Sequence, residues 1–173
     1  VFSLGSTAVH ANTAFLHESL AAAVTLGQRA VLFTGSPAMR ARLPETLPPG
    51  IVAVEYAPHA AVFPHAAVVV HHGGVGTGAE ALAAGVPSLV VPHGFDQHDN
   101  AARLRRLGVA EVLPAARYRR EPATACLRVL LDARHRADAE ALAERLARHD
   151  GAALAADAIE AAVGRVRPQL AVP

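Results

Sequence analysis

The residues best suited to chemistry lie in one stretch, residues 71–100, which holds four histidines, six glycines, one glutamate and two aspartates. Glycine lets backbone N–H groups approach an anion without a Cβ in the way, and a helix N-terminus adds partial positive charge. Within "HGGVGT", His72 and Thr77 can each donate a hydrogen bond. This turn predicts a diphosphate cradle in which Gly74 and Gly76 leave the backbone accessible.

The turn alone also agrees with a simpler interpretation. A tight connection from strand to helix can need glycine only for packing, and this alternative stays open at this point. The sequence around the turn has no lysine and does not follow the P-loop pattern, so ATP hydrolysis of the P-loop kind is not expected.

Glu80 lies three residues after Thr77, nearly one turn further along the expected helix. A carboxylate can accept hydrogen bonds from a ribose diol, as acidic residues do in dinucleotide folds. The alternative is an ordinary exposed glutamate, although the neighbours in "AEALAAG" are small or apolar. We therefore expect Glu80 to hold ribose hydroxyls.

Asp96 and Gln97 begin the next helical segment, after another apolar strand. An adjacent acid and amide offer both acceptors and donors, which the several hydroxyls of a sugar ring require. The competing interpretation is that Asp96 simply caps the helix N-terminus.

Three further candidates follow other strands. Tyr56 could stack on a flat base, although a tyrosine at the edge of the core is the simpler explanation. Ser6 and Thr7 follow the first strand and could reach a phosphate, or could serve as helix caps.

These candidates need a framework that brings strand ends together. Apolar runs without strict alternation recur between helical segments, which predicts strands covered on both faces. The expected strands are "VFSLG", "RAVLFTG", "IVAVEYAP", "AAVVVHHGG", "VPSLVVP" and "VAEVLP", followed from Glu121 by helices broken near His135 and Gly151. We predict an α/β Rossmann-like fold, a doubly wound parallel sheet of about six strands with C-terminal helices.

Composition narrows the function class. The chain has 173 residues, a net charge of +1, 52% hydrophobic residues and only 4% aromatic residues. Its arginines alternate with acids rather than forming a basic stripe, so a nucleic-acid partner is not expected. The apolar runs are far shorter than the roughly 20 residues of a membrane span, and the single Cys126 agrees with a reducing cytoplasm.

A metal-dependent hydrolase is a competing interpretation. Adjacent histidines on a continuing strand point apart, however, and a metal site would leave the position of Glu80 unexplained. The side chains that could serve as ligands are His71, His72, His93, Asp96, His98 and Asp99.

With these residues in place, the sequence resembles the nucleotide-sugar-dependent glycosyltransferases of the GT-B fold, in the family of plant and bacterial natural-product and lipid glycosyltransferases. The resemblance runs through "YAPHAAVFPHA" and "HHGGVGTGAEALAAGVPSLVVPHGFDQHDNAARLRRLGVA". Its signature matches are His72, Gly74, Thr77, Glu80, Gly85, Val86, Pro87, Asp96 and Gln97.

The resemblance implies a role for each residue. Tyr56 stands where an aromatic ring stacks on the nucleobase, and His59 stands beside the base. His72, Gly76 and Thr77 would hold the diphosphate, with Ser6 or Thr7 helping. Glu80 would bind the ribose, and the pair Asp96–Gln97 the sugar. UDP and dTDP both remain open as the nucleotide.

The resemblance also implies a division of labour. Residues 1–173 would form the C-terminal nucleotide-sugar-binding domain, while the acceptor site and the catalytic base would belong to an N-terminal domain absent from this sequence. We expect a cytoplasmic inverting hexosyltransferase acting on a small hydrophobic acceptor, with no metal or cofactor and no catalytic residue in this chain. A nucleotide-sugar epimerase half and a non-catalytic nucleotide-binding module are the alternatives.

Overall fold

The computed structural model describes residues 1–5 and 13–166, and within these residues six strands form one parallel sheet in the order β3-β2-β1-β4-β5-β6. The strands are β1 (Phe2–Ser3), β2 (Ala30–Phe33), β3 (Ile51–Val54), β4 (Val69–His71), β5 (Ser88–Val90) and β6 (Ala110–Val112). The predicted Rossmann-like sheet of six strands is therefore confirmed.

Helices connect the strands and continue beyond the last one. They are α1 (Thr13–Leu26), α2 (Pro37–Arg40), α3 (His59–Val62), α4 (Val75–Ala83), α5 (Gln97–Arg106), α6 (Arg120–Leu130), α7 (Ala133–Leu146) and α8 (Gly151–Val166). In the part of the chain described, none of these helices is long and apolar enough to cross a membrane.

Both faces of the sheet are covered, as the continuous apolar strands predict. On one face, α1 and α6 pack over β1 and its neighbours, with Phe15 and Leu130 fully buried. On the other face, Phe63 and Ala81 bury Val69 from the α3 and α4 side. Burial on both faces explains why the central strands read as apolar runs rather than alternating patterns.

Several predicted boundaries agree with the structure. The helices α1, α4 and α5 end at the predicted glycines Gly27, Gly85 and Gly108, whose φ values are 63°, 64° and 77°. The break predicted near His135 lies a few residues earlier, at Leu131 and Asp132 between α6 and α7. There Asp132 accepts a hydrogen bond from the backbone N–H of Arg134 at 2.9 Å and so caps α7.

The strand order reverses between β1 and β4. The chain leaves β1 toward one side of the sheet and β4 toward the other, which opens a crevice at their carboxyl ends. Gly5 follows β1 there, and the turn of residues 72–77 follows β4. The fold therefore brings the predicted diphosphate turn to the place where open α/β sheets bind ligands.

A buried hydrogen bond joins α1 to the segment before α6. The hydroxyl groups of Ser19 and Tyr118 lie 2.8 Å apart, and both residues are buried. The Tyr118 ring also stacks on Phe15 with centroids 4.8 Å apart. The bond between the two hydroxyls therefore replaces the hydrogen bonds to water that both lose on burial.

Replacing Tyr118 by Phe should lower the free energy of unfolding by about 1–3 kcal/mol, because the Ser19 hydroxyl stays buried and loses its partner. Urea-induced unfolding measures this loss. The double variant Ser19→Ala, Tyr118→Phe should recover part of it, since no orphaned hydroxyl remains. The pairing would be contradicted if the double variant lost more unfolding free energy than the two single variants lose together.

His71 ends β4 and is completely buried. Its Nδ1 accepts the backbone N–H of Gly73 at 3.1 Å, and Nε2 meets no hydrogen-bond partner among the described residues. Burial, with smaller contributions from His72 and His59, lowers the pKa of His71 to about 3 from its ordinary 6.5. His71 is therefore neutral in the folded chain.

This burial makes stability depend on pH. The unfolded chain binds a proton at His71 below about pH 6.5, whereas the folded chain does not bind it until about pH 3. The free energy of unfolding should fall as the pH falls through this window. In His71→Asn, whose Oδ1 can still accept the Gly73 N–H, the slope between pH 4 and 6 should shrink by about 1.4 kcal/mol per pH unit. Equal slopes in urea titrations of the two proteins would contradict the assignment.

Candidate functional site

A cleft of about 490 Å³ opens at the carboxyl ends of the central strands. Its volume lies in the range of small-molecule sites, about 300–1,000 Å³. It brings together six of the predicted site residues. The residues lining it are Ser3, Leu4, Gly5, Phe33, Gly35, Glu55, Tyr56, Ala57, His59, His72, Gly74, Gly76 and Thr77.

His72 occupies a narrow place between two glycines. A Cβ on Gly5 would lie 2.6 Å from the His72 Cε1 atom, and a Cβ on Gly74 would lie 2.5 Å from its Nε2 atom. Gly5 also has φ +69°, a conformation that side chains disfavour. Both glycines are therefore required by the imidazole between them.

The N-terminus of α4 is open toward the cleft. Its cap position is Gly74, and no side chain of the described residues caps it. The first turn carries no acidic residue either. Its backbone N–H groups lack intrahelical partners, and they carry the positive end of the helix dipole. This helix end can receive an anion beside His72 and the buried Thr77.

The surroundings of His72 disfavour its charged form. Partial burial lowers the pKa of His72, the neighbouring His93 lowers it further, and Asp96 opposes both. Burial likewise lowers the pKa of His93. A dianion bound at the N-terminus of α4 would raise the pKa of His72, because an adjacent negative charge favours the imidazolium form. A bound anion would therefore favour the imidazolium form of His72.

Tyr56 is not a residue of the core edge. It follows β3, lines the cleft and leaves 80% of its surface exposed. A large exposed aromatic ring at the rim of a cleft can receive a flat ring by stacking. Base stacking on Tyr56 stays a prediction, and the exposure of the ring leaves its face accessible for this contact.

Glu80 lies on α4 and is tied to the cleft through His59. The Nδ1 atom of His59 and the Oε2 atom of Glu80 are 2.5 Å apart. An ionised carboxylate can only accept, so Nδ1 donates. The His59 ring stacks on Phe63 with centroids 4.4 Å apart and meets Phe33 edge-on. Glu80 is therefore held by an imidazole that is itself held by two aromatic rings.

Asp96 does not cap α5 as the simpler interpretation required. It stands at the cap position, but within the described ranges its side chain makes no cap hydrogen bond. Its Oδ2 instead accepts from Nδ2 of Asn100 at 2.9 Å. The same Nδ2 donates to the backbone oxygen of Gly73 at 2.9 Å. Asn100 thus links the loop carrying Asp96 to the turn that precedes α4.

Gln97 uses its amide oxygen within its own loop. Oε1 accepts the backbone N–H of His93 at 2.8 Å and that of Gly94 at 3.2 Å. The amide nitrogen is left to donate, and the Asp96 carboxylate to accept. Phe95, directly before Asp96, has φ 56°, an unusual conformation for a bulky residue, and is 96% exposed.

Two parts of the prediction are placed differently from the rest. Glu80, Asp96 and Gln97 lie outside the lining of the cleft. Glu80 contacts the lining residue His59, and Asn100 links Asp96 to the backbone of Gly73. Ser6 and Thr7 lie outside the described residues, so their predicted roles stay predictions.

The competing metal site finds no support in the described ranges. They contain no group of three or more His, Cys, Asp or Glu side chains placed to hold a metal ion. His71 is buried and bonded to its own strand end, while His72 stands between Gly5 and Gly74. The expectation that function needs no metal stays a prediction.

Sequence reasoning missed Asn100 and Gly5. Asn100 carries a signal, since it stands four residues after Asp96 on the same face of α5. The signal at Gly5 is weak, since the sequence shows only a glycine after a strand. The reason that a glycine is needed there is its contact with His72, which is distant in the sequence.

A second cavity, of about 410 Å³, lies at the amino ends of the strands, away from these groups.

Residues 18–161 match the model of the family described as "Erythromycin biosynthesis protein CIII-like, C-terminal domain". Over 131 residues the chain is 40% identical to O-mycaminosyltylonolide 6-deoxyallosyltransferase of Streptomyces fradiae, covering 74% of this chain and 29% of that protein. This chain therefore spans less than a third of that relative's length.

Solved structures show the same relation. The glycotransferase of kitacinnamycin superposes with a TM-score of 0.81 at 32% identity, covering 92% of this chain and 41% of the other. The spinosyn rhamnosyltransferase SpnG, complexed with thymidine diphosphate, superposes with a TM-score of 0.80 at 30% identity, covering 92% and 44%. The chain belongs to the family of erythromycin biosynthesis protein CIII-like C-terminal domains, and its fold is the C-terminal half of a GT-B glycosyltransferase.

Proposed function

We propose that this chain binds the nucleotide-sugar donor of a glycosyltransferase, with dTDP as the nucleotide. The observation that carries the proposal is the open N-terminus of α4 beside His72, in one cleft with Tyr56. A diphosphate meets there two kinds of donor, unpaired backbone N–H groups and an imidazole. The thymidine diphosphate in the SpnG complex supports the choice of nucleotide.

The rest of the donor follows the cleft in order. The base stacks on Tyr56, which has 80% of its surface free for this contact. The ribose lies by Glu80, whose side chain is 48% exposed although one oxygen is engaged by His59. The sugar lies toward Asp96 and Gln97, and Asn100 links Asp96 to the turn before α4.

The reaction we propose for the whole protein is hexosyl transfer to a hydroxyl of a small hydrophobic acceptor, with inversion at the anomeric carbon. The hydroxyl oxygen forms the new bond as the bond to the diphosphate oxygen breaks, and the hydroxyl proton passes to a base. This chain stabilises the leaving diphosphate through His72 and the α4 N-terminus. The base and the acceptor site belong, in this proposal, to an N-terminal domain.

Nucleotide binding gives the direct test. At a concentration one hundred times its Kd, dTDP should stabilise the chain by about 2.7 kcal/mol by linkage, a rise of several degrees in Tm. UDP should act in the same direction, and GDP, whose larger base changes the stacking geometry, should act less. No shift in Tm with millimolar dTDP or UDP would contradict the proposal.

The seat of His72 gives a sharper test with a matched control. Gly74→Ala places a Cβ against the imidazole and should weaken binding of dTDP and of inorganic pyrophosphate at least tenfold in calorimetry, because His72 must move. Gly151→Ala, at the start of α8 and outside the lining of the cleft, places a Cβ where no described atom lies within 4 Å, so its loss should be smaller than threefold. Equal losses in the two variants would show that His72 does not bind the diphosphate.

A further inference from the structure

We propose that His59 controls whether the site gains affinity from a ribose 2′-hydroxyl, by occupying one of the two oxygens of Glu80. The inference rests on the proposed function, since it concerns the nucleotide bound in the same cleft. His59 acts through Glu80 and is therefore a positioning residue.

The first step of the argument is the accepting capacity of Glu80. A carboxylate that is free on both oxygens can accept one hydroxyl on each, which suits the 2′,3′-diol of a ribonucleotide. In this chain Oε2 already accepts from Nδ1 of His59 at 2.5 Å. Oε1 remains the fully available oxygen, which suits a single hydroxyl such as the 3′-hydroxyl of a 2′-deoxynucleotide.

The second step is that packing holds the His59 ring in its position beside Glu80. Its ring is stacked on Phe63 with an interplanar angle of 15° and meets Phe33 at 75° with centroids 5.6 Å apart. Phe63 is fully buried, and the His59 side chain itself is only 22% exposed. The imidazole is therefore fixed before a ligand arrives, and Glu80, on the more exposed side, is the partner that is oriented.

The third step is that the contact leaves Glu80 ready to bind. Its side chain is 48% exposed, and α4 carries it two turns or less from the anion-binding end. A ribose joined to a diphosphate at Gly74–Thr77 lies within reach of this carboxylate. The His59 contact restricts the carboxylate to one rotamer without covering it.

The test compares UDP with dUDP, which differ only in the 2′-hydroxyl. Calorimetry of the wild-type chain should give similar Kd values for the two nucleotides, within about threefold. His59→Phe keeps the ring between Phe33 and Phe63 and deletes the Nδ1 donor. In this variant the ratio of affinities should move toward UDP by about tenfold, the value of one added hydrogen bond to a charged group.

Three controls separate positioning from a general structural effect. His59→Asn places an amide N–H near the position of Nδ1 and should restore the wild-type ratio. His59→Ala should change the ratio in the same direction as His59→Phe. In a Glu80→Ala background, His59→Phe should leave the ratio unchanged, because the carboxylate through which it acts is gone.

Each outcome decides a different question. A ratio that stays within twofold of wild type in both His59→Phe and His59→Ala, while both nucleotides still bind, would overturn the role of His59 and leave the proposed function standing. Failure of the wild-type chain to bind UDP, dUDP or dTDP would overturn the proposed function itself.

Discussion

The site depends on the fixed position of the His72 imidazole, which lies at the point where the strand order reverses. His72 leaves β4 between Gly5, which follows β1, and Gly74, which begins α4. A Cβ on either glycine would meet the ring at 2.6 Å or less. Because β1 and β4 are paired directly, the pairing fixes the two sides of this seat relative to each other. The sheet therefore sets the position of His72 before any ligand is present.

The groups around His72 favour its neutral form. Burial and His93 lower the pKa of His72, which avoids the cost of a partly buried, unpaired charge. The fixed dipoles at the N-terminus of α4 need no protonation and are oriented by the helix itself. Asn100 completes the arrangement by bonding both the Gly73 carbonyl and Asp96, which prevents the turn and the next loop from moving independently.

The sequence predicted the sheet and most of the site because both leave local signals. Apolar runs gave the six strands, and glycines gave the helix ends at Gly27, Gly85 and Gly108. The break before α7 lies a few residues before His135, because a capping aspartate, Asp132, marks a boundary less clearly than a glycine does. Contacts between distant residues could not be predicted. The bond from His59 to Glu80 and the packing of Gly5 on His72 depend on strand order, which no local pattern contains.

The proposed site combines fixed polar groups with exposed aromatic rings. Fixed N–H groups and a held imidazole suit a diphosphate, because electrostatic recognition falls off sharply when donors must first be reoriented. Tyr56 and Phe95 are instead 80% and 96% exposed. Stacking and apolar burial gain free energy from covered area and tolerate small rotations, so these rings need no equally rigid support. His59 connects a rigid group to an exposed one. Its ring packs against Phe33 and Phe63, and its contact with Glu80 orients a carboxylate that is otherwise exposed.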